Sequence, residues 1–482
     1  EVLDGNDPFV EFATMREPLK MLNVYNMGYC GIFGATAEGI FHGCGFKTGR
    51  SFFLRAWNHS ATEIFYNNEW HYFDVDVRGA LVKQNGTIAS LEDARTNKQL
   101  WLNSKAKIQP FFPNVSSTPE RIERVAEIYA KDYPDGQSFQ FRWFQGSHTA
   151  DYMLRPGESL TRWWDDTTGR WNHYPQYNKE KWVPDLIMKP PVGMKPNHRH
   201  FTRWNHGVGL FHYQPKLTDD SNDFLAGALY SEGLIPGAEG LRLTAKTGTA
   251  IFNMFTPFPI VAKIHDLENE NVDNEAVLIT LNTALPTTIE ISTDNGITWN
   301  ESHKVEGNSV FDLTRWVKRK YGFLLKLSVT GNTGDTAIYT MVVDTWVQIA
   351  PISLPRLMKG NNKLRFEFGD RYGNATQPVL ITPNCGDPED LRKYVVKMPD
   401  NYDPNRNTAR IIGSVILRCQ APANHKIAWL SAGGTFNTLR RKEAPQTQNM
   451  MSFAVDQPQN FRNIYESNNP EWVDHRSEER RV

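Results

Sequence analysis

The stretch GYCGIFGATAEGIFHGCGFKTGRSFFLRAWNHSATEIFYNNEWHYFDVD, residues 28–76, decides the reading of this 482-residue chain. Within it, GIFGATAEGIFH (31–42) sets Ile32, Ala35, Ile40 and Phe41 toward one side of a helix. Gly43 and Gly45 stop that helix, since glycine enters a left-handed C-terminal turn without a Cβ penalty. A hairpin follows, with Thr62–Tyr66 and Trp70–Asp76 joined at Asn67-Asn68. That turn sets the register: Tyr66 faces Glu69, and position 61 then faces position 74. His59 and Asp74 become diagonal neighbours on one face, roughly 7 Å apart at the backbone and within side-chain reach.

These positions carry chemistry. Cys30 directly precedes the helix, where the positive end of the dipole and unpaired N–H groups favour a thiolate. The same N–H groups can donate to a developing oxyanion. A neutral His59 would take the thiol proton, with the Asp74 carboxylate fixing its tautomer and orientation. The thiolate would then attack a carbonyl and form a thioester. Cys44, at the far end of the helix, reads as an inert packed thiol.

Cys30 at a helix start is followed by His59, by Glu63 four residues on, by Trp70, and by Asp74 four residues after that Trp. In this order and spacing the segment resembles the transglutaminase-like branch of the papain-like cysteine enzymes. GFKTGR (Gly45–Arg50) resembles that family's connection between helix and strand. The likeness covers residues 25–80 and implies a transglutaminase-like core, with Cys30, His59 and Asp74 catalytic and Glu63 and Trp70 structural. Where the family places a Trp two residues after the His, this chain has Ala61.

Composition bounds the rest. At roughly 150 residues per domain the length suggests about three domains, and 40% hydrophobic with 22% charged residues is an ordinary globular balance. A net charge of −1 argues against a general nucleic-acid partner. No apolar run of about 18 residues is present, so no membrane span is expected. The chain starts at Glu1 without an apolar leader, as expected of a mature or truncated form. Cys30, Cys44, Cys385 and Cys419 match no zinc motif, although the last two are candidates for a disulfide.

A helix is expected from Ser117, with Ser117 and Glu120 as a capping box and Ile122, Val125, Ala126 and Tyr129 as its apolar stripe. The expected class is α+β: a transglutaminase-like domain over 1–134, then an irregular middle region over 135–249. One or two antiparallel β-sandwiches over 250–445 and a polar tail over 446–482 follow. In the middle region, Lys195–Tyr213 concentrates His198, His200, His206 and His212 with Arg199, Arg203 and Tyr213, and Arg155–Tyr174 carries Arg162, Trp163 and Trp164. Trp57, Arg162, Trp163, His198, His200, Arg203, His206 and Tyr213 are the candidate substrate-binding set, since Arg holds carboxylate or sulfate and aromatic rings stack on sugars. The histidines lack interspersed carboxylates, so no metal site is expected. Ser292-Thr-Asp294-Asn-Gly296-Ile-Thr298-Trp299 matches the Asp-box hairpin, a structural turn that leans toward extracellular, glycan-associated proteins.

Three functions are consistent with these residues. The first is a secreted or periplasmic cysteine hydrolase or acyltransferase acting on an extracellular polymer, an acidic polysaccharide or a protein, without a cofactor. The second is a polysaccharide lyase that uses the central His, Tyr and Arg residues for β-elimination beside a uronic carboxylate. The third is a non-catalytic glycan-binding protein.

Overall fold

The hairpin forms where the sequence puts it. Asn67 and Asn68 both take positive φ, 50° and 62°, the two-residue turn whose twist matches that of the flanking strands. Thr62 faces Phe73, Glu63 faces Tyr72, and Tyr66 faces Glu69, so the expected register holds. The computed structural model describes residues 16–25, 30–46, 49–54, 59–75, 80–103, 119–131, 140–141, 148–150, 152–162, 171–173, 205–261, 275–300, 302–350, 353, 379, 381, 383–405, 408–411, 413–421, 426–427, 430, 432–436, 449–455, 460–467 and 473–476. The chain divides into two compact units, the first built from Val10–His148, Tyr174–Trp204 and Trp429–Val482.

In this unit a short helix α1 (Pro18–Lys20) runs into a π-helical turn, Met21–Tyr25, before the long helix α2 (Cys30–Gly43). Helix α2 ends as glycine placement predicts: Gly45 sits at φ 91° and the Phe46 N–H reaches back to the Phe41 carbonyl. Four antiparallel strands follow, β1 (Gly49–Leu54), β2 (His59–Tyr66), β3 (Glu69–Phe73) and β4 (Gln140–Phe141), in the order β3-β2-β1-β4. Helix α2 lies against β2 where Gly34 lets the two backbones approach, and Thr62 Oγ1 donates to the Gly34 carbonyl at 3.0 Å. Helices α3 (Leu91–Thr96), α4 (Lys98–Asn103) and α5 (Pro119–Lys131) build the core over Ala61 and Tyr72, with Leu81, Leu91, Trp101, Ala126 and Tyr129. Ser90 and Asp93 form a reciprocal capping box at the start of α3. The cap expected at Ser117 lies outside the described residues, whereas Ala126 and Tyr129 of the expected stripe are buried.

The second unit comprises Glu1–Phe9, Thr149–His173 and Asn205–Ala428. Its centre is one 11-stranded antiparallel sheet. It takes in β5 (Glu158–Arg162), β6 (Trp171–His173), β7 (Asn205–Tyr213), β8 (Tyr230–Glu232), β9 (Leu234–Pro236), β10 (Leu241–Leu243) and β11 (Thr247–Asn253). With them pair β12 (Val277–Ser292), β13 (His303–Asp312), β14 (Leu324–Thr330) and β15 (Thr336–Ile349). The 16-residue β12 changes neighbour along its length: Val277–Thr283 pairs with β15 and Thr287–Ser292 with β14. Such forks let a long sheet curl and cover its own apolar face. The expected boundary at 249/250 falls inside β11, and residues 205–249 carry strands β7 to β10 and the start of β11.

Beyond the large sheet, β16 (Tyr402–Asn405) pairs with β17 (Thr408–Ile411). In the first unit, β18 (Gly433–Phe436) pairs with β21 (Val473–Arg476), and β19 (Asn449–Phe453) with β20 (Arg462–Ser467). The 446–482 stretch, expected as a polar tail, contributes the paired strands β19, β20 and β21. Cys385 and Cys419 are both free thiols, which corrects the expected disulfide. Among the described residues no helix is long and apolar enough to cross a membrane.

Asn68→Val, which puts a β-branched side chain at φ 62°, is expected to cost about 1–2 kcal/mol in urea unfolding while Asn68→Gly is tolerated. Equal stability of the two variants would refute the two-residue turn and the register it sets.

Candidate active site

The odd-numbered face of β2 and the even-numbered face of β3 are one side of the sheet, which places His59, Ala61 and Glu63 beside Tyr72 and Asp74. From this geometry the His59 ring reaches Asp74, Nε2 to Oδ2, at 2.6 Å. The Cys30 side chain, on the first residue of α2, is hydrogen-bonded to the same ring. Cys30, His59 and Asp74, separated by up to 44 positions in the chain, are therefore one connected set. Exposure falls along it: Cys30 is partly exposed, His59 6% and Asp74 1%.

A carboxylate so deeply buried needs donors. Asp74 Oδ2 accepts from His59 and also from the Tyr72 hydroxyl at 2.8 Å. The Tyr129 hydroxyl, carried in from α5, lies 3.4 Å from the same oxygen and is hydrogen-bonded to the Tyr72 hydroxyl. Burial pushes the Tyr72 phenol well above its usual value of 10, with Asp74 and Tyr129 adding to the shift, so it remains a neutral donor.

Burial opposes a charge on His59, yet the combined effect of Asp74 and Cys30 outweighs it. Hydrogen bonds to Asp74 and Cys30, and the negative charge of each, push the imidazole from 6.5 up to about 10. The ring is then an imidazolium at neutral pH, held between a carboxylate and a sulfur. A ring held in this way, beside a sulfur at a helix start, is the arrangement that nucleophilic catalysis by a thiol requires. The first turn of α2 adds N–H groups without intrahelical partners next to the sulfur, suited to a developing oxyanion.

Glu63 is 1% exposed and accepts the Leu91 N–H at 2.6 Å, tying β2 to the start of α3. Trp70 stacks edge-on against Phe65, ring centroids 5.3 Å apart, near the turn end of the hairpin. Both are placed as supports.

The substrate-binding candidates are placed differently. Trp57, Trp163, His198, His200 and Arg203 lie outside the described residues, and so does the side chain of His206 on β7. Arg162, on β5, donates to the Ser353 carbonyl at 3.2 Å and to its hydroxyl. Tyr213 is fully buried, with the Arg155 guanidinium 3.9 Å over its ring and Glu158 holding that guanidinium. It packs the sheet instead of lining a groove. Among the described residues no group of three or more His, Cys, Asp or Glu is gathered as a metal site. In the Asp-box turn, Asp294 accepts from the Thr298 N–H and the Ser292 hydroxyl, both at 2.8 Å, and pairs with Lys393 at 3.3 Å.

Sequence reasoning passed over Tyr72 and Tyr129. Tyr72 was findable, since it shares the face of Asp74 two residues earlier in the strand; Tyr129 read only as an apolar-stripe residue of a helix. Comparisons of the chain with protein-family models, with curated proteins and with solved structures find no match.

Because the folded pKa of His59 lies above the unfolded 6.5, its stabilisation is complete below about pH 6.5 and disappears as pH rises through about 10. Wild type is expected to lose more urea resistance over that interval than His59→Gln; parallel pH curves would refute the held imidazolium. Glu63→Ala is expected to lower stability by about 1–3 kcal/mol by leaving the Leu91 N–H unsatisfied, with the alkylation rate of Cys30 in the folded variant unchanged.

Proposed function

We propose that this chain is a transglutaminase-like cysteine hydrolase or acyltransferase, working through a Cys30 thioester on amide or ester groups of an extracellular polymer. The observation that carries the reading is the single imidazole of His59 joined to Asp74 on one side and to Cys30 on the other. The spacing of Cys30, His59, Glu63, Trp70 and Asp74 and the helix-to-hairpin order support the family likeness.

In this reading the Cys30 thiolate adds to the carbonyl carbon while N–H groups of the first turn of α2 receive the oxyanion. The His59 imidazolium gives its proton to the leaving amine or alcohol as the tetrahedral intermediate collapses to the thioester. The imidazole, now neutral, then takes a proton from water or from an acceptor amine, which attacks the thioester and regenerates the thiolate. Asp74 keeps the ring oriented throughout. The curled large sheet, with its Asp-box hairpin, supports the sandwich reading of the second unit and an extracellular setting. The lyase alternative draws on the central Arg, His and Tyr residues. Of the residues committed to it, Arg162 is bonded to Ser353 and Tyr213 is buried, so the thioester reading has the better support.

The decisive assay compares wild type and Cys30→Ala on amide and ester substrates and on acidic polysaccharides. We expect acyl transfer or hydrolysis to fall by about 10³-fold or more in the variant, with an acyl adduct on Cys30 seen by mass spectrometry in wild type. Formation of an unsaturated uronate that survives loss of the thiol would overturn the cysteine mechanism in favour of elimination.

A further inference from the structure

The carboxylate that orients His59 is itself oriented. Asp74 has one oxygen, Oδ2, that takes both the His59 ring and the Tyr72 hydroxyl, at 2.6 and 2.8 Å. Tyr72 lies two residues earlier on the same strand face, so its hydroxyl folds back over its neighbour. The Tyr129 hydroxyl meets the Tyr72 hydroxyl from α5, and the two rings stand edge to face with centroids 6.0 Å apart. The two hydroxyls are hydrogen-bonded to each other, and the Tyr129 hydroxyl also donates to Asp74 Oδ2 at 3.4 Å. Both tyrosines are buried, at 0% and 1% exposure, so no bulk solvent can replace a lost donor. Ala61 makes room for this arrangement. It packs in the same buried core cluster as both rings, with only a methyl group on their face of the sheet.

We propose that Tyr72 and Tyr129 are positioning residues of the site, a two-hydroxyl relay from α5 that holds the Asp74 carboxylate in line with His59. The proposal rests on the reading of Cys30, His59 and Asp74 as a reactive set and extends it to a helix 99 positions downstream of the thiol. Without the Tyr72 hydroxyl the carboxylate loses its 2.8 Å donor, and the short contact to His59 is expected to lengthen. Among the described residues, Asp74, just past β3, and Cys30, at the start of α2, are hydrogen-bonded to His59, while Tyr72 and Tyr129 are hydrogen-bonded to Asp74.

The test uses the full chain with Tyr72→Phe, Tyr129→Phe, and Leu81→Ala as a core-packing control that removes no hydroxyl. His59 is titrated by NMR of its ring, and Cys30 is timed by iodoacetamide alkylation at neutral pH. Tyr72→Phe is expected to lower the His59 midpoint by about one unit or more, toward 6.5, and to slow alkylation several-fold. Tyr129→Phe should act in the same direction by a smaller amount, and it carries the test if Tyr72→Phe does not fold. Leu81→Ala should lose stability with the His59 midpoint in place. A midpoint that stays or rises in the tyrosine variants would overturn the proposal, since the hydroxyls would then only fill the core or dilute the carboxylate charge. The ring titration judges the relay even if Cys30 proves unreactive in wild type, and that second result would count against the proposed function alone.

Discussion

The contact between His59 and Asp74 is the constraint on which the rest of the first unit depends. It spans two strands and exists in only one hairpin register, because a slip of one residue moves one partner to the other face of the sheet. Asn67 and Asn68, both at positive φ, fix that register from the turn. Glu63 fixes the same sheet to α3, and Gly34 admits α2 close enough for its first residue to meet the His59 ring. Turn, helix approach and capping contact all serve the placement of one imidazole.

Burying that contact has a cost that the surrounding residues offset. A carboxylate taken out of water loses several kcal/mol of solvation unless charge and hydrogen bonds replace it. Asp74 receives both, from the His59 ring and from the Tyr72 hydroxyl, and His59 in turn gains a negative partner on each side. The outcome is an imidazole whose pKa the fold raises from 6.5 to about 10. Reactivity and stability are thus linked, since the interactions that hold the imidazolium also hold the hairpin against α2.

The second unit follows a different logic. Its long strands β12 and β15 exchange partners along their length, so the sheet curls. Polar pairs in this unit serve mainly packing: Arg155 is held by Glu158 and covers the ring of Tyr213, and Arg162 is anchored on Ser353. An Arg- and aromatic-rich composition can therefore mark a sheet core as readily as a binding wall, and only the partners distinguish the two.

The sequence by itself determined the helix that starts at Cys30, its glycine stop, the hairpin and its register, because each rests on local chemistry: periodicity, φ preference and turn type. It also placed His59 and Asp74 on one face, since strand geometry has a period of two. It did not determine that residues 205–253 join the sheet of residues 277–349, because the pairing of short strands is decided by partners distant in sequence. Nor did it reveal Tyr129, whose spacing looks the same whether its hydroxyl is idle or bonded. Tertiary structure decided that point by bringing α5 over β3, where a buried carboxylate made the hydroxyl a partner.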